Sequence, residues 1–222
     1  YGTRSKMVSV NPSQLHLSLH VDTPDIAFAQ SKLSKYMHNP GPKHVQALKR
    51  LLRYLKGTST FCLTYDFSRG SPKSGLYGYY DAAHADDLDT RRSTMAYIFL
   101  FEGCPISWKS KQHSYITTST NHSEYVASAK AAKEAKWLSK VFAATMINDV
   151  LPIPLFSDSK GAISMNYNPV HHEASKHVDL DDHYIYAREQ VSRGIITISH
   201  VDTHSMIADP LTKALGKTAF NK

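Results

Sequence analysis

The chain has 222 residues, 41% of them hydrophobic, enough to bury a core and too apolar for a globally disordered polypeptide. It carries 26 Lys and Arg against 19 Asp and Glu, a net charge of +7 with a pI near 9.3, which favours a polyanionic partner. No apolar run reaches the ~18 residues a membrane span needs, and two cysteines, Cys62 and Cys104, are too few for a disulfide framework and fit small core positions in a reducing compartment.

The opening "YGTRSKMVSV" has neither the apolar stretch of a secretory signal nor an initiating Met, so a piece of a longer polypeptide is expected. Residues 24–38 read as a helix with Pro24 in its first turn, and "NPGP" breaks it. A second helix runs over 42–56 and stops at Gly57. It sets Lys43, Lys49, Arg50, Arg53 and Lys56 around an apolar stripe of Val45, Leu48, Leu52 and Leu55. These helices predict an N-terminal helical segment, 1–59, ahead of a second domain over 60–222.

From Thr60 the pattern changes. "FCLTYDF", "LYGYYDA", "STMAYIFLFEG" and "CPISWKS" read as strands, with Gly103 turning between the last pair. A long helix over 120–146 follows, then the strand "LPIPLFSDS", the brief helix "KGAISMN", and the helix "HVDLDDHYIYAREQVSRG" ended by Gly194. The strand "IITISHV" and the helix "DPLTKALGK" close the chain. From Leu76 onward the order is β-β-β-α-β-α-α-β-α. That order predicts an α/β fold: a mixed five-stranded sheet, a three-strand antiparallel meander plus two parallel strands, flanked by helices.

Carboxylates stand at telling places in this order. At ~100° per residue, Ala127, Ala131, Ala135, Leu138 and Phe142 lie within ~60° of Glu124, while Lys130, Lys133, Lys136 and Lys140 take the other side. Glu124 therefore begins the buried stripe, where a carboxylate is costly unless paired or metal-bound. Asp81 ends the strand "LYGYYD". Asp158 follows "IPLF" before a short helix, and Asp209 stands before Pro210; the local reading of both is a helix N-cap. In a mixed sheet, strand ends and helix starts gather at one edge. Four acids there repel one another unless divalent cations lie among them, and oxygen-only donors suit Mg²⁺ or Mn²⁺.

The succession "YYDA", "TSTNHSEYVA", "FSDSKGAI" and "IADPLTK", with the linking text "DLDTRRST", "ISWKSKQ", "AAKEAKWL" and "KHVDLDDH", resembles the ribonuclease H domain of copia-class retrotransposon Pol polyproteins. The likeness covers about Asp22 to Leu215, and its first stretch resembles the thumb and connection region that precedes that domain. It implies a ribonuclease H-like fold, two Mg²⁺ or Mn²⁺ ions held by Asp81, Glu124, Asp158 and Asp209, and hydrolysis of the RNA strand of an RNA·DNA hybrid to 3′-hydroxyl and 5′-phosphate ends. It also implies a reverse-transcriptase domain in the same polyprotein as partner, and an intracellular setting: cytoplasm, virus-like particle or nucleus. His204, five positions before Asp209, stands where related enzymes use a mobile histidine for product release. Arg91, Arg92, Lys109, Lys111 and Ser159 are candidate contacts to the hybrid. Ala83 and Ala96 depart from residues common in the family (Asp and Gly), which keeps a second expectation open: a domesticated or decayed domain that binds nucleic acid or protein without hydrolysis.

Other readings are weaker. "HADD" at 84–87 lacks the aromatic of a polymerase hairpin, and His171, His172 and His177 lack a fourth zinc ligand. Asp86, Asp87 and Asp89 read as a turn, solvated or paired with Arg91 and Arg92.

Overall fold

The computed structural model describes residues 23–63, 65, 74–145, 150–168, 182–216 and 220. The chain divides into two compact units, Tyr1–Phe61 and Cys62–Lys222. The zinc reading at His171, His172 and His177 lies outside the described residues.

In the first unit, helices α1 (Ala27–Ser34) and α2 (Pro42–Gly57) pack around Ile26 and Leu51. Pro42 opens α2 behind Gly41, whose backbone N–H donates to the His44 ring at 3.0 Å. The buried stripe of α2 runs through Leu48 and Leu51, whereas Leu52 is exposed, so the expected face is turned by one residue. The Tyr54 hydroxyl donates to Asp25 at 2.6 Å and ties the helices together.

The second unit is built on strands β1 (Leu76–Ala83), β2 (Thr94–Phe101), β3 (Cys104–Gln112), β4 (Ile153–Ser157) and β5 (Ile196–His200), in the order β3-β2-β1-β4-β5. The β1–β2 and β2–β3 pairs are antiparallel, and the β1–β4 and β4–β5 pairs are parallel. This is the mixed sheet that the element order predicts. Glu102 (φ +49°) and Gly103 (φ +82°) form the two-residue turn between β2 and β3, both left-handed as a tight hairpin requires. The stretch "FCLTYDF" is no strand where it is described: Phe61 is 76% exposed and buries nothing, and Cys62 is exposed rather than in the core.

Helix α3 (Thr120–Ala144) lies on the sheet, capped by Ser119, whose hydroxyl accepts from the His122 N–H at 3.1 Å. Ala127, Ala131 and Ala135 let it pack against Tyr80, Met95, Tyr97, Phe99, Leu155 and Ile198 in one core. Its first half is also buried by a second face. Tyr125 and Val126 meet Ala162 of α4 (Lys160–Tyr167), and Ser128 donates to Asn166. Helix α5 (Asp182–Ser192) completes this layer through the fully buried Ala187. The closing helix α6 (Asp209–Thr212) has only four residues, fewer than expected, because burial stops at Leu211 and Thr212.

Candidate active site

Three of the expected carboxylates come together. Asp81 near the end of β1, Glu124 in the first turn and a half of α3, and Asp158 after β4 each offer an oxygen, and these oxygens lie within 4.8 Å of one another. Asp81 and Glu124 are buried, and Asp158 is half-buried. The parallel β1–β4 pair sets the first and third side by side, and the α3 stripe brings Glu124 over them.

Asp158 is not a helix cap. Ser159 takes that place, its hydroxyl accepting from the Ala162 N–H at 3.3 Å, which leaves the Asp158 carboxylate to the cluster. Asp209 is not a cap either: it is the first residue of α6, behind Ala208. It lies outside the three-oxygen convergence and holds Lys213 one turn on, at 2.7 Å.

Electrostatics register the crowding. Burial, then repulsion from Asp81 and Asp158, push the Glu124 carboxyl up to about 9 against the opposing pull of the Ala82 N–H. Burial also raises Asp209; the Lys213 ammonium opposes this, and the charges of Asp81 and Asp158 add to it. Oε2 of Glu124 is buried without a hydrogen-bond partner among the described residues. A buried, unpartnered carboxylate oxygen beside two further acids is a donor set that fits a hard divalent cation.

Hydroxyls that the sequence does not single out hold the acids in place. Thr212 donates to Oδ2 of Asp81, and Thr203 donates to Oδ2 of Asp158 at 2.8 Å. Thr212 and Lys213 stand three and four residues after Asp209, the spacing that puts them beside it on a helix.

The remaining candidates are at the margin. His204 is exposed on the 3₁₀ turn Thr203–Ser205. Arg91 and Arg92 are exposed, Arg91 with φ +55°. Of the aspartates before them, Asp89 is an exposed turn residue, as expected, whereas Asp86 is half-buried and Asp87 is covered. Asp87 is buried and accepts from Thr90 at 2.8 Å and from the Gln112 side chain, while Asp86 accepts from Thr94 at 2.9 Å. Lys109 and Lys111 lie exposed on β3.

No family model matches the sequence. Among curated proteins, the chain is 39% identical over 197 residues to the "Retrovirus-related Pol polyprotein from transposon RE1" of Arabidopsis thaliana, covering 89% of this chain and 13% of that protein. The corresponding polyprotein from transposon TNT 1-94 of Nicotiana tabacum is 36% identical, with 89% and 14% covered. The chain thus spans about one seventh or less of the Pol polyproteins it matches. "Secreted RxLR effector protein 161" of Plasmopara viticola is 43% identical over 119 residues, 54% of this chain and 82% of that protein. Among solved structures, the N-terminal RNase H domain of rv2228c from Mycobacterium tuberculosis gives a TM-score of 0.45 at 12% identity, over 67% of this chain and 95% of that one. LC11-RNase H1 in complex with RNA/DNA hybrid gives 0.42 at 11%, over 62% and 92%.

Proposed function

We propose, for a chain that belongs to the family of retrovirus-related Pol polyproteins from copia-type transposons, that its second unit is a ribonuclease H. It hydrolyses the RNA strand of RNA·DNA hybrids during reverse transcription, inside the cell, beside a reverse-transcriptase domain of the same polyprotein. The observation that carries this reading is the convergence of Asp81, Glu124 and Asp158, whose oxygens lie within 4.8 Å of one another, with a buried Glu124 oxygen that has no hydrogen-bond partner among the described residues.

These three acids, with Asp209 at their margin, would hold divalent cations, Mg²⁺ or Mn²⁺. Two such ions, when bound, activate a water and neutralise the leaving oxygen of a phosphodiester. The chain's own groups prepare that site. The Thr212 and Thr203 hydroxyls orient Asp81 and Asp158. Glu124 must release its proton to serve, and a neighbouring cation favours the charged form. Lys213 holds Asp209 against the repulsion of the other acids. A hybrid would be held through its backbone and 2′-hydroxyls, with little sequence preference. The helices of the first unit correspond to the thumb and connection segment of such a polyprotein.

The test is cleavage of a labelled RNA·DNA hybrid in Mg²⁺ by the native chain and by Asp158→Asn. Cleavage to 5′-phosphate ends by the native chain, lost in the variant, is expected; equal background rates in both overturn the reading. One observation favours a second reading: the shared segment makes up 82% of the Plasmopara viticola effector, without room for a polymerase. In that case the unit binds nucleic acid or protein without hydrolysis, and salt-dependent hybrid binding with no cleavage is the result it predicts.

A further inference from the structure

A cavity of about 220 Å³ opens between β3 and α3, apart from the acids. Its floor is Met95, Ala96 and Tyr97 of β2 with Ala127 of α3, and its rim carries Lys109, Lys111, Lys130 and Lys133. Lys109 and Lys111 stand opposite Tyr97 and Met95 in the β2–β3 ladder, two residues apart and hence on one face, ~7 Å from each other along the strand. Lys130 reaches the cavity from the helix side, one turn after the small Ala127. The Lys133 ammonium is engaged with the Tyr186 ring, 5.2 Å from its centroid.

The one acid in the lining, Glu134, offsets only part of this charge, since four lysines stand against it. Both Glu134 oxygens are taken, by the Tyr97 hydroxyl at 3.1 Å and the Ser107 hydroxyl at 2.6 Å. Burial, then the charges of Lys133, Lys111 and Lys109, hold the Lys130 ammonium below the usual lysine range. A half-buried lysine facing two others across a cavity with an aromatic floor suits an oxyanion, and the small volume suits a phosphate.

We propose that Lys109, Lys111 and Lys130 form a phosphate-binding cavity that grips the nucleic-acid backbone beside the acidic site. Lys130 lies six residues beyond Glu124, ~9 Å along the helix axis. The choice of a nucleic-acid phosphate rests on the ribonuclease H reading; the anion site itself rests on the lysines.

The experiment measures binding of a labelled RNA·DNA hybrid to the full chain carrying Asp158→Asn, across a salt series in Mg²⁺. Each lost phosphate contact flattens the plot of log Kd against log salt by about one. Lys109→Gln with Lys111→Gln is expected to flatten it by about two, and Lys130→Gln by about one. Lys130→Arg keeps the native slope, and so does Lys140→Gln, an exposed lysine of the same helix outside the cavity. Slopes for the cavity variants equal to that of Lys140→Gln overturn the proposal. Lysine-dependent binding of inorganic phosphate, with hybrid slopes equal to that of Lys140→Gln, also overturns it and assigns the cavity to a free anion. Cleavage by the unmutated chain is scored separately. Lysine-dependent binding without cleavage sinks the nuclease reading and keeps the cavity; cleavage with lysine-independent binding does the reverse.

Discussion

The Thr212 hydroxyl donates to Oδ2 of Asp81, joining residues 131 positions apart at the centre of the acidic site. The bond fixes one oxygen of a buried carboxylate and so selects which oxygen faces Glu124 and Asp158. Thr212→Val keeps the shape but removes the donor. A hydrogen bond to a charged group contributes roughly 1.5–3 kcal/mol, so urea unfolding of the metal-free protein should show a loss of that order. Hybrid cleavage should fall about tenfold, the effect of ~1.4 kcal/mol on a barrier. Thr212→Ser should stay near native in both; equal behaviour of the Val and Ser variants would show that the hydroxyl orients nothing.

Glu124 makes the metal-free protein sensitive to pH. Its carboxyl is pushed up to about 9 in the folded chain against an ordinary 4.5. A raised folded pKa favours folding below 4.5, and that contribution drains away as pH climbs through 9. Glu124→Gln carries no such charge, and its amide can donate to Asp81 as the protonated acid does. In EDTA, the difference in unfolding free energy between variant and native should therefore grow in favour of Glu124→Gln from pH 5 toward pH 9, reaching a few kcal/mol. A difference that stays flat across that range would mean that Glu124 is not held protonated by its neighbours.

What the sequence made legible follows from range. The helical period places Glu124 at the head of the α3 stripe, and the element order predicts the sheet, because both depend on local spacing and topology rules. Asp158 was ambiguous locally, since Asp and Ser at 158 and 159 are both good caps; Ser159 caps, and only the packed structure separates the two. Asp87 looked like a solvated turn acid because its partner Gln112 is 25 residues away, across the β2–β3 hairpin. Thr203 and Thr212 carried no signal for the same reason: their carboxylate partners are 45 and 131 residues distant. The second buried face of α3 was hidden as well. Tyr125, Val126 and Ser128 are covered by α4, a helix too short to announce a layer of its own.

Gly78 tests how tightly the central strand is packed. A Cβ there would meet the Phe99 ring at 2.8 Å and Leu155 at 3.1 Å. Phe99 and Leu155 are themselves fully buried, so neither can swing aside. Gly78→Ala must part β1 from β2 or β4, at a cost of roughly 1–3 kcal/mol for an overfilled core. Thermal unfolding should fall by several degrees. Because β1 carries Asp81 and β4 leads to Asp158, cleavage by the folded fraction should fall too. Full stability in the variant would show that the strands slide apart freely.

Lys213 occupies a place that a cation would share. Its ammonium pairs with Asp209 at 2.7 Å, and the charges of Asp81 and Asp158 also raise its affinity for its proton. Without it, Asp209 faces two other acids with no counter-charge. The pair is partly exposed, 42% for Lys213 and 13% for Asp209, so its loss should cost no more than about 1 kcal/mol in the metal-free protein. A divalent cation then has more to neutralise. Lys213→Gln should lower the metal-free Tm by a few degrees and increase the rise in Tm on adding Mg²⁺, because ligand binding stabilises in proportion to its affinity. If the lysine instead serves the nucleic acid alone, the Mg²⁺-induced shift will match that of the native chain, and only hybrid binding will weaken. Differential scanning fluorimetry with and without Mg²⁺ separates these outcomes without any cleavage assay, so it reads the acids directly even in a chain that turns nothing over.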